Sequence, residues 1–150
     1  MVYFTFIAKV INLKIRTIFA DASICASFYC AKIMTKKVYY LHTCSTCQRI
    51  LKTLELNAEN IDLQDIKTQV ITPEQLDEMA RLSGSFESLF SRRAMKYKSM
   101  GLKDKTLSEQ DYRKLILDEY TFLKRPVFII GNEIFIGNSA KTVAAISEVL

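Results

Sequence analysis

From Lys37 onward the apolar residues change period in a regular way, and each change marks an element. The stretch KVYYLH is short and rich in β-forming residues, which predicts a buried strand. In STCQRILKTLEL, Ile50, Leu51, Leu54 and Leu56 recur at helical spacing, so the chain passes from strand to helix through a tight turn. NIDLQDI then sets Ile61, Leu63 and Ile66 nearly in alternation, as a second strand does. The next helix declares its start: Thr72 is the N-cap, Pro73 the first helical residue, and Gln75 stands three after the cap, where its side chain can bond back. SFESLFSRRAMKYKSMGL and TLSEQDYRKLILDEY continue as helices, the second opened by the box pair Thr106 and Glu109. The pattern then reverts to strands. RPVFII is a short apolar run, Gly131 and Asn132 are a two-residue hairpin signal, EIFI is the return strand, and NSAKTVAAISEVL follows as an amphipathic helix.

The order βαβ, helical stretch, ββα is the layout of the thioredoxin-like fold, an α/β domain on a mixed four-stranded sheet, with a helical insertion between its halves. The size fits: 150 residues, 49% hydrophobic and 25% charged, suffice for one core, and four glycines and two prolines leave no room for a low-complexity linker. Residues 1–33 differ in texture. They are apolar, but Lys9, Lys14 and Arg16 interrupt any run long enough to span a bilayer and any continuous core of a secretory signal. The segment is expected to be a leader or non-native extension, with the domain over 34–150, starting at Met34 and cytoplasmic. The net charge of +5 is also concentrated there: residues 1–33 hold four of the 21 basic groups and one of the 16 acids, leaving 17 against 15. A nearly neutral body is a poor electrostatic footprint for nucleic acid.

Candidate chemistry centres on HTCSTCQR. A thiol at a helix start meets the positive end of the helix dipole and unpaired amide hydrogens, both of which favour thiolate, the nucleophilic form. Cys44 holds that position, and Cys47 lies one turn on, within reach of a disulfide. Three readings compete: a nucleophile with a resolving thiol, two small core residues, or half of a zinc site completed by Cys25 and Cys30. His42, the single histidine, either holds a proton near the sulfur or simply points to solvent. Pro126 opens a strand where, in a thioredoxin-like layout, a cis proline faces the nucleophilic thiol, and Arg125 before it can aim a fixed guanidinium at an oxyanion or thiolate. The same holds for Arg92 or Arg93, although at least one of these is expected to lie on a solvated helix face.

From about Lys36 to Leu150 the chain resembles the ArsC/Spx family, which contains glutaredoxin-coupled arsenate reductases and the Spx redox regulators of RNA polymerase. The matching stretches are VYYLHTCSTCQR, SLFSRRAMKYKSMGL and LKRPVFIIGNEIFIGNS. The resemblance implies a nucleophilic Cys44 with Arg93 and Arg125 binding an oxyanion. It implies no bound metal or organic cofactor, and glutathione with glutaredoxin, or thioredoxin, as reductant. Two departures stand out. The third arginine of the reductases falls where this chain has Gly137, and those reductases carry a single thiol in the turn, whereas the pair Cys44 and Cys47 agrees with Spx. The pair is expected either to resolve a catalytic intermediate or to close a switch that alters binding to RNA polymerase.

Overall fold

The computed structural model describes residues 36–150. The segment 1–33, with Cys25 and Cys30 on which the zinc reading depends, lies outside the described residues.

Four strands form one mixed sheet: β1 (Lys36–Tyr40), β2 (Asp62–Asp65), β3 (Val127–Ile130) and β4 (Glu133–Ile136), in the order β2-β1-β3-β4. β1 runs parallel to β2 and antiparallel to β3, and β3 pairs with β4 across the two-residue turn at Gly131 and Asn132, with Ile130 opposite Glu133. Successive side chains of a strand leave opposite faces, so a central strand covered on both sides must be apolar throughout. Accordingly Val38 and Phe128 pack with Ile50, Leu51, Ile61 and Ile146 on one face. Tyr39, Val127 and Ile129 pack with Leu76, Met79, Leu89 and Phe122 on the other. The first face is covered by helices α1 (Ser45–Thr53) and α6 (Ala140–Val149), the second by the insertion: α2 (Pro73–Ser83), α3 (Phe86–Leu89), α4 (Met95–Ser99) and α5 (Glu109–Asp118). This is the expected thioredoxin-like architecture.

The start of α2 is as the sequence predicts. Thr72 Oγ1 accepts from the Gln75 amide, and Gln75 Oε1 accepts in return from the Thr72 amide. Gln75 does more than cap. Its amide group also exchanges hydrogen bonds with Gln64, the one fully buried polar side chain among the described residues, at 3.1 and 3.2 Å. Pairing of this kind removes the cost of a desolvated amide.

Three expectations are corrected. The first helix ends at Thr53, not Leu56. Leu56 donates to the carbonyl of Leu51 and Glu55 to that of Lys52, a Schellman closure that puts Glu55 at φ 53 and packs Leu56 on the core of the first face. The stretch 85–102 is not one helix. Phe90 is extended and forms an isolated antiparallel bridge with Leu123, with Ser91 donating to the Phe122 carbonyl at 2.6 Å and Lys124 to the Leu89 carbonyl at 2.8 Å. The ring of Phe90 is buried against Phe122, Tyr112 and Tyr97, with centroids at 5.0, 4.9 and 6.0 Å, and this packing overrides helical propensity. Finally, α5 is capped by Ser108 with Asp111, not by Thr106 with Glu109. Glu109 is occupied elsewhere: its Oε2 accepts from the Phe86 amide at 2.6 Å, tying α5 to the first turn of α3.

Two substitutions of opposite sign test this description in urea unfolding. Phe90→Ala should cost about 3–5 kcal/mol as an aromatic-to-alanine change in a packed core. Glu55→Gly should stabilise by about 0.5–1 kcal/mol by relieving the left-handed residue. Neither should change the m-value.

Candidate active site

The loop between β1 and α1 positions the sulfur of Cys44. Cys44 closes a turn by donating to the Leu41 carbonyl at 3.0 Å, and its own carbonyl accepts the first helical bond, from Gln48 at 3.1 Å. It is thus the N-cap of α1, with extended backbone. The cap side chain makes no formed hydrogen bond, so the amides of the first turn act on the sulfur as oriented dipoles, and no acid stands in that turn to compete. The loop is held from outside by Gln48, whose Nε2 donates to the His42 carbonyl at 2.6 Å, and by Asp65, whose Oδ1 accepts from the His42 amide.

The two thiols experience opposite environments. Burial of Cys44 opposes ionisation and is the largest single influence on it. The amide hydrogens of Cys47 and Thr46, the Cys47 thiol and the Arg125 guanidinium together outweigh that burial and hold Cys44 below the ordinary thiol range. Cys47 is fully buried, which pushes its thiol up to about 11, and the adjacent Cys44 charge adds to the rise. Ionisation is thus favoured at the partly exposed sulfur of Cys44 and opposed at the buried one of Cys47, and both thiols are free.

Cys44 opens into a cleft of about 780 Å³. The cleft is also lined by residues of the insertion and of the segment before β3, among them Ser88, Arg92, Arg93, Lys124 and Arg125, and by Gly137 and Asn138. The sequence-predicted residues Cys44, Arg93 and Arg125 therefore share one cavity. Among the described residues neither Arg93 nor Arg125 has a hydrogen-bond or ion-pair partner, so both guanidinium groups are available to a ligand. Arg92 is engaged by Glu87 at 2.6 Å and by the Tyr112 hydroxyl at 3.3 Å. Lys124 donates from Nζ to the Ser88 carbonyl at 2.7 Å. Pro126 is buried next to Arg125, and the bond between them is cis. His42 is exposed and does not line the cleft; its backbone, not its ring, takes part in the loop.

The sequence reasoning did not anticipate Glu87, Ser88, Lys124 or Asn138 as part of this lining. Their signal was weak because the lining is assembled by the bridge between Phe90 and Leu123, which joins segments more than thirty residues apart. Among the described residues no group of His, Cys, Asp or Glu stands ready to hold a metal, and no helix is long and apolar enough to cross a membrane.

The ArsC family model matches residues 39–146, a span that contains the thiol pair, the insertion and the hairpin. The chain belongs to the ArsC family. Solved structures of similar fold include an arsenate reductase from Vibrio cholerae, with 17% identity over 78% of this chain and 98% of that one and a TM-score of 0.62. An ArsC family related protein from Bacteroides fragilis shares 24% identity over 75% and 98%, with a TM-score of 0.64. An arsenate reductase (ArsC) related protein from Brucella melitensis shares 21% over 75% and 93%, with a TM-score of 0.56. At these identities the likeness is one of fold. No curated protein matches the chain.

Within the ArsC frame the position of Gly137 gains a physical meaning. Its φ is 92°, its amide donates to the Pro126 carbonyl at 2.9 Å, and nothing lies within 4 Å of where a Cβ would project. A side chain there meets open space but a strained backbone, at a cost of about 1–2 kcal/mol.

Alkylation by iodoacetamide across pH reads the thiol assignment. Cys44 should react with a midpoint below that of an unperturbed thiol, since its thiolate persists as pH falls until that lowered value is passed. Arg125→Gln should move the midpoint up by removing a cation that favours thiolate. Cys47 should stay unmodified in the folded protein over the same range; preferential labelling of Cys47 would contradict the assignment.

Proposed function

We propose that the protein is a thiol-dependent reductase of the arsenate reductase type. The observation that carries the reading is the convergence in one cleft of a thiolate-favouring Cys44 with Arg93 and Arg125, which have no partner among the described residues. Arginine presents a planar fork that matches oxyanion geometry, and preformed cations aimed at developing charge lower a barrier without reorganising. Cys44 attacks the arsenic of bound arsenate, forming a sulfur–arsenic bond as one oxygen departs as water. A second thiol then attacks the Cys44 sulfur. The electron pair of the sulfur–arsenic bond stays on arsenic, which leaves as arsenite, and a disulfide remains.

Glutathione or Cys47 can serve as that second thiol. Support for Cys47 in that role is its position one turn on in the sequence, and part of what raises its pKa is the neighbouring Cys44. When Cys47 attacks, its proton passes to the departing arsenite or to solvent as the disulfide forms. Glutaredoxin or thioredoxin would return two electrons to the disulfide. With two guanidinium groups in the cleft and Gly137 in place of a third, the site suits slow turnover of a multiply charged anion or a less charged substrate.

A second reading is favoured by the thiol pair itself: a Spx-like switch in which the disulfide between Cys44 and Cys47 alters docking on RNA polymerase. Pull-down from oxidised and reduced lysates separates the two, since polymerase subunits should be retained in one redox state only.

Purified protein supplied with arsenate, glutathione and glutaredoxin should consume reducing equivalents in an arsenate-dependent way. Cys44→Ser should abolish this, and Arg93→Gln or Arg125→Gln should each lower kcat/KM by about a hundredfold. Absence of arsenate-dependent consumption in the wild-type protein rejects arsenate as substrate.

A further inference from the structure

The cleft carries a different charge in the two redox states of its thiols. In the reduced protein Cys44 lines the cleft together with Arg125, whose charge favours the thiolate there, and Arg93 adds a second guanidinium with no partner among the described residues. The other charged groups of the wall are already engaged, Glu87 with Arg92 and Lys124 with the Ser88 carbonyl. Cys47, in the first turn of the helix that the cleft thiol caps, is buried and free. Joining the two sulfurs removes that thiolate and leaves every other charge of the cleft in place.

We infer that the disulfide form of this cleft is a receptor for an unreactive tetrahedral oxyanion, sulfate or phosphate, and that the bound anion makes the disulfide between Cys44 and Cys47 harder to reduce. The inference rests on the thiol pairing proposed above. Its sign follows from electrostatics: a dianion in the reduced cleft is repelled by the thiolate, and in the oxidised cleft it meets both guanidinium groups without that repulsion. Reciprocity supplies the second half. If oxidation raises anion affinity by some factor, the anion shifts the disulfide equilibrium by the same factor. Reduction of the disulfide would then become less favourable as the anion accumulates, which couples the redox state of the protein to the anion content of its surroundings.

A dithiothreitol buffer tests this, because neutral thiols do not compete for arginine. The Cys44 thiolate attacks oxidised dithiothreitol, breaking its disulfide and forming a mixed one. Cys47 loses its proton and attacks the Cys44 sulfur, expelling dithiothreitol. The protein gives up two electrons, and the two departing thiolates take the Cys47 proton and one from solvent. The disulfide-to-dithiol ratio is read by alkylation and mass shift in sodium sulfate and in sodium chloride of equal ionic strength, at mildly alkaline pH.

Sulfate should raise the ratio by on the order of threefold to tenfold, the size of one charge acting on a dianion across several ångströms of solvated cleft. The shift should shrink as pH falls through the Cys44 titration, and also in Arg93→Gln and Arg125→Gln. Calorimetry gives an independent arm: Cys44→Ser, which lacks the thiolate, should bind sulfate more tightly than the reduced wild type by a similar factor. Equal ratios in sulfate and chloride overturn the inference and leave the pairing intact. A sulfate shift undiminished in both arginine variants overturns it by placing the anion elsewhere. Failure to form the disulfide at any buffer ratio overturns the pairing, and the inference with it.

Discussion

The short antiparallel bridge between Phe90 and Leu123 is the contact on which the site depends. Two backbone hydrogen bonds and the stack of Phe90 on Phe122 pin the insertion to the strand-like stretch that leads into Arg125 and Pro126. Arg93 follows one end of the bridge and Arg125 the other, so both cations are delivered to the cleft by the same clamp. A continuous helix through this region would forfeit those bonds and unstack Phe90 from three aromatic neighbours. Tertiary packing wins because the bridge bonds replace part of the helix bonds lost, and the aromatic burial has no helical equivalent.

The second organising fact is the contrast between two sulfurs three residues apart. Cys44 caps α1 and Cys47 lies in its first turn, and both feel Arg125, yet one is driven toward thiolate and the other toward thiol. The difference is depth. Cys44 sits at the helix end, where first-turn amides point outward and solvent is near, whereas Cys47 has turned into the protein interior. The roles proposed for the two thiols call for such different environments, and one helical turn supplies both.

Much of the architecture was legible in the sequence because strand and cap signals are local. The run RPVFII, the Gly131–Asn132 turn and the Thr72–Gln75 box each carry their instructions within a few residues, and all appear where expected. The sequence reading went astray where a local signal met a remote partner. Thr106 with Glu109 is as good a cap on paper as Ser108 with Asp111, and the choice is made by the Phe86 amide, which takes the Glu109 carboxylate. The site shows the same division. Cys44, Arg93 and Arg125 were visible through motif and resemblance, whereas the engagement of Arg92 by Glu87 and the part played by Lys124 depend on how the clamp closes, which no spacing reveals.

Gly137 and its neighbour Asn138 both line the cleft, but they offer different evolutionary routes. A cation introduced at Gly137 must first overcome a left-handed backbone, so that route requires a compensating change in the loop. Asn138 is outside the left-handed region and accepts a longer side chain with no such penalty. The chain thus stands one unobstructed substitution from a three-cation cleft, at a position shifted by one from the arginine that the family resemblance leads one to expect. Among ArsC relatives that share this glycine, the residue that follows it would then be the record of selection for or against multiply charged anions.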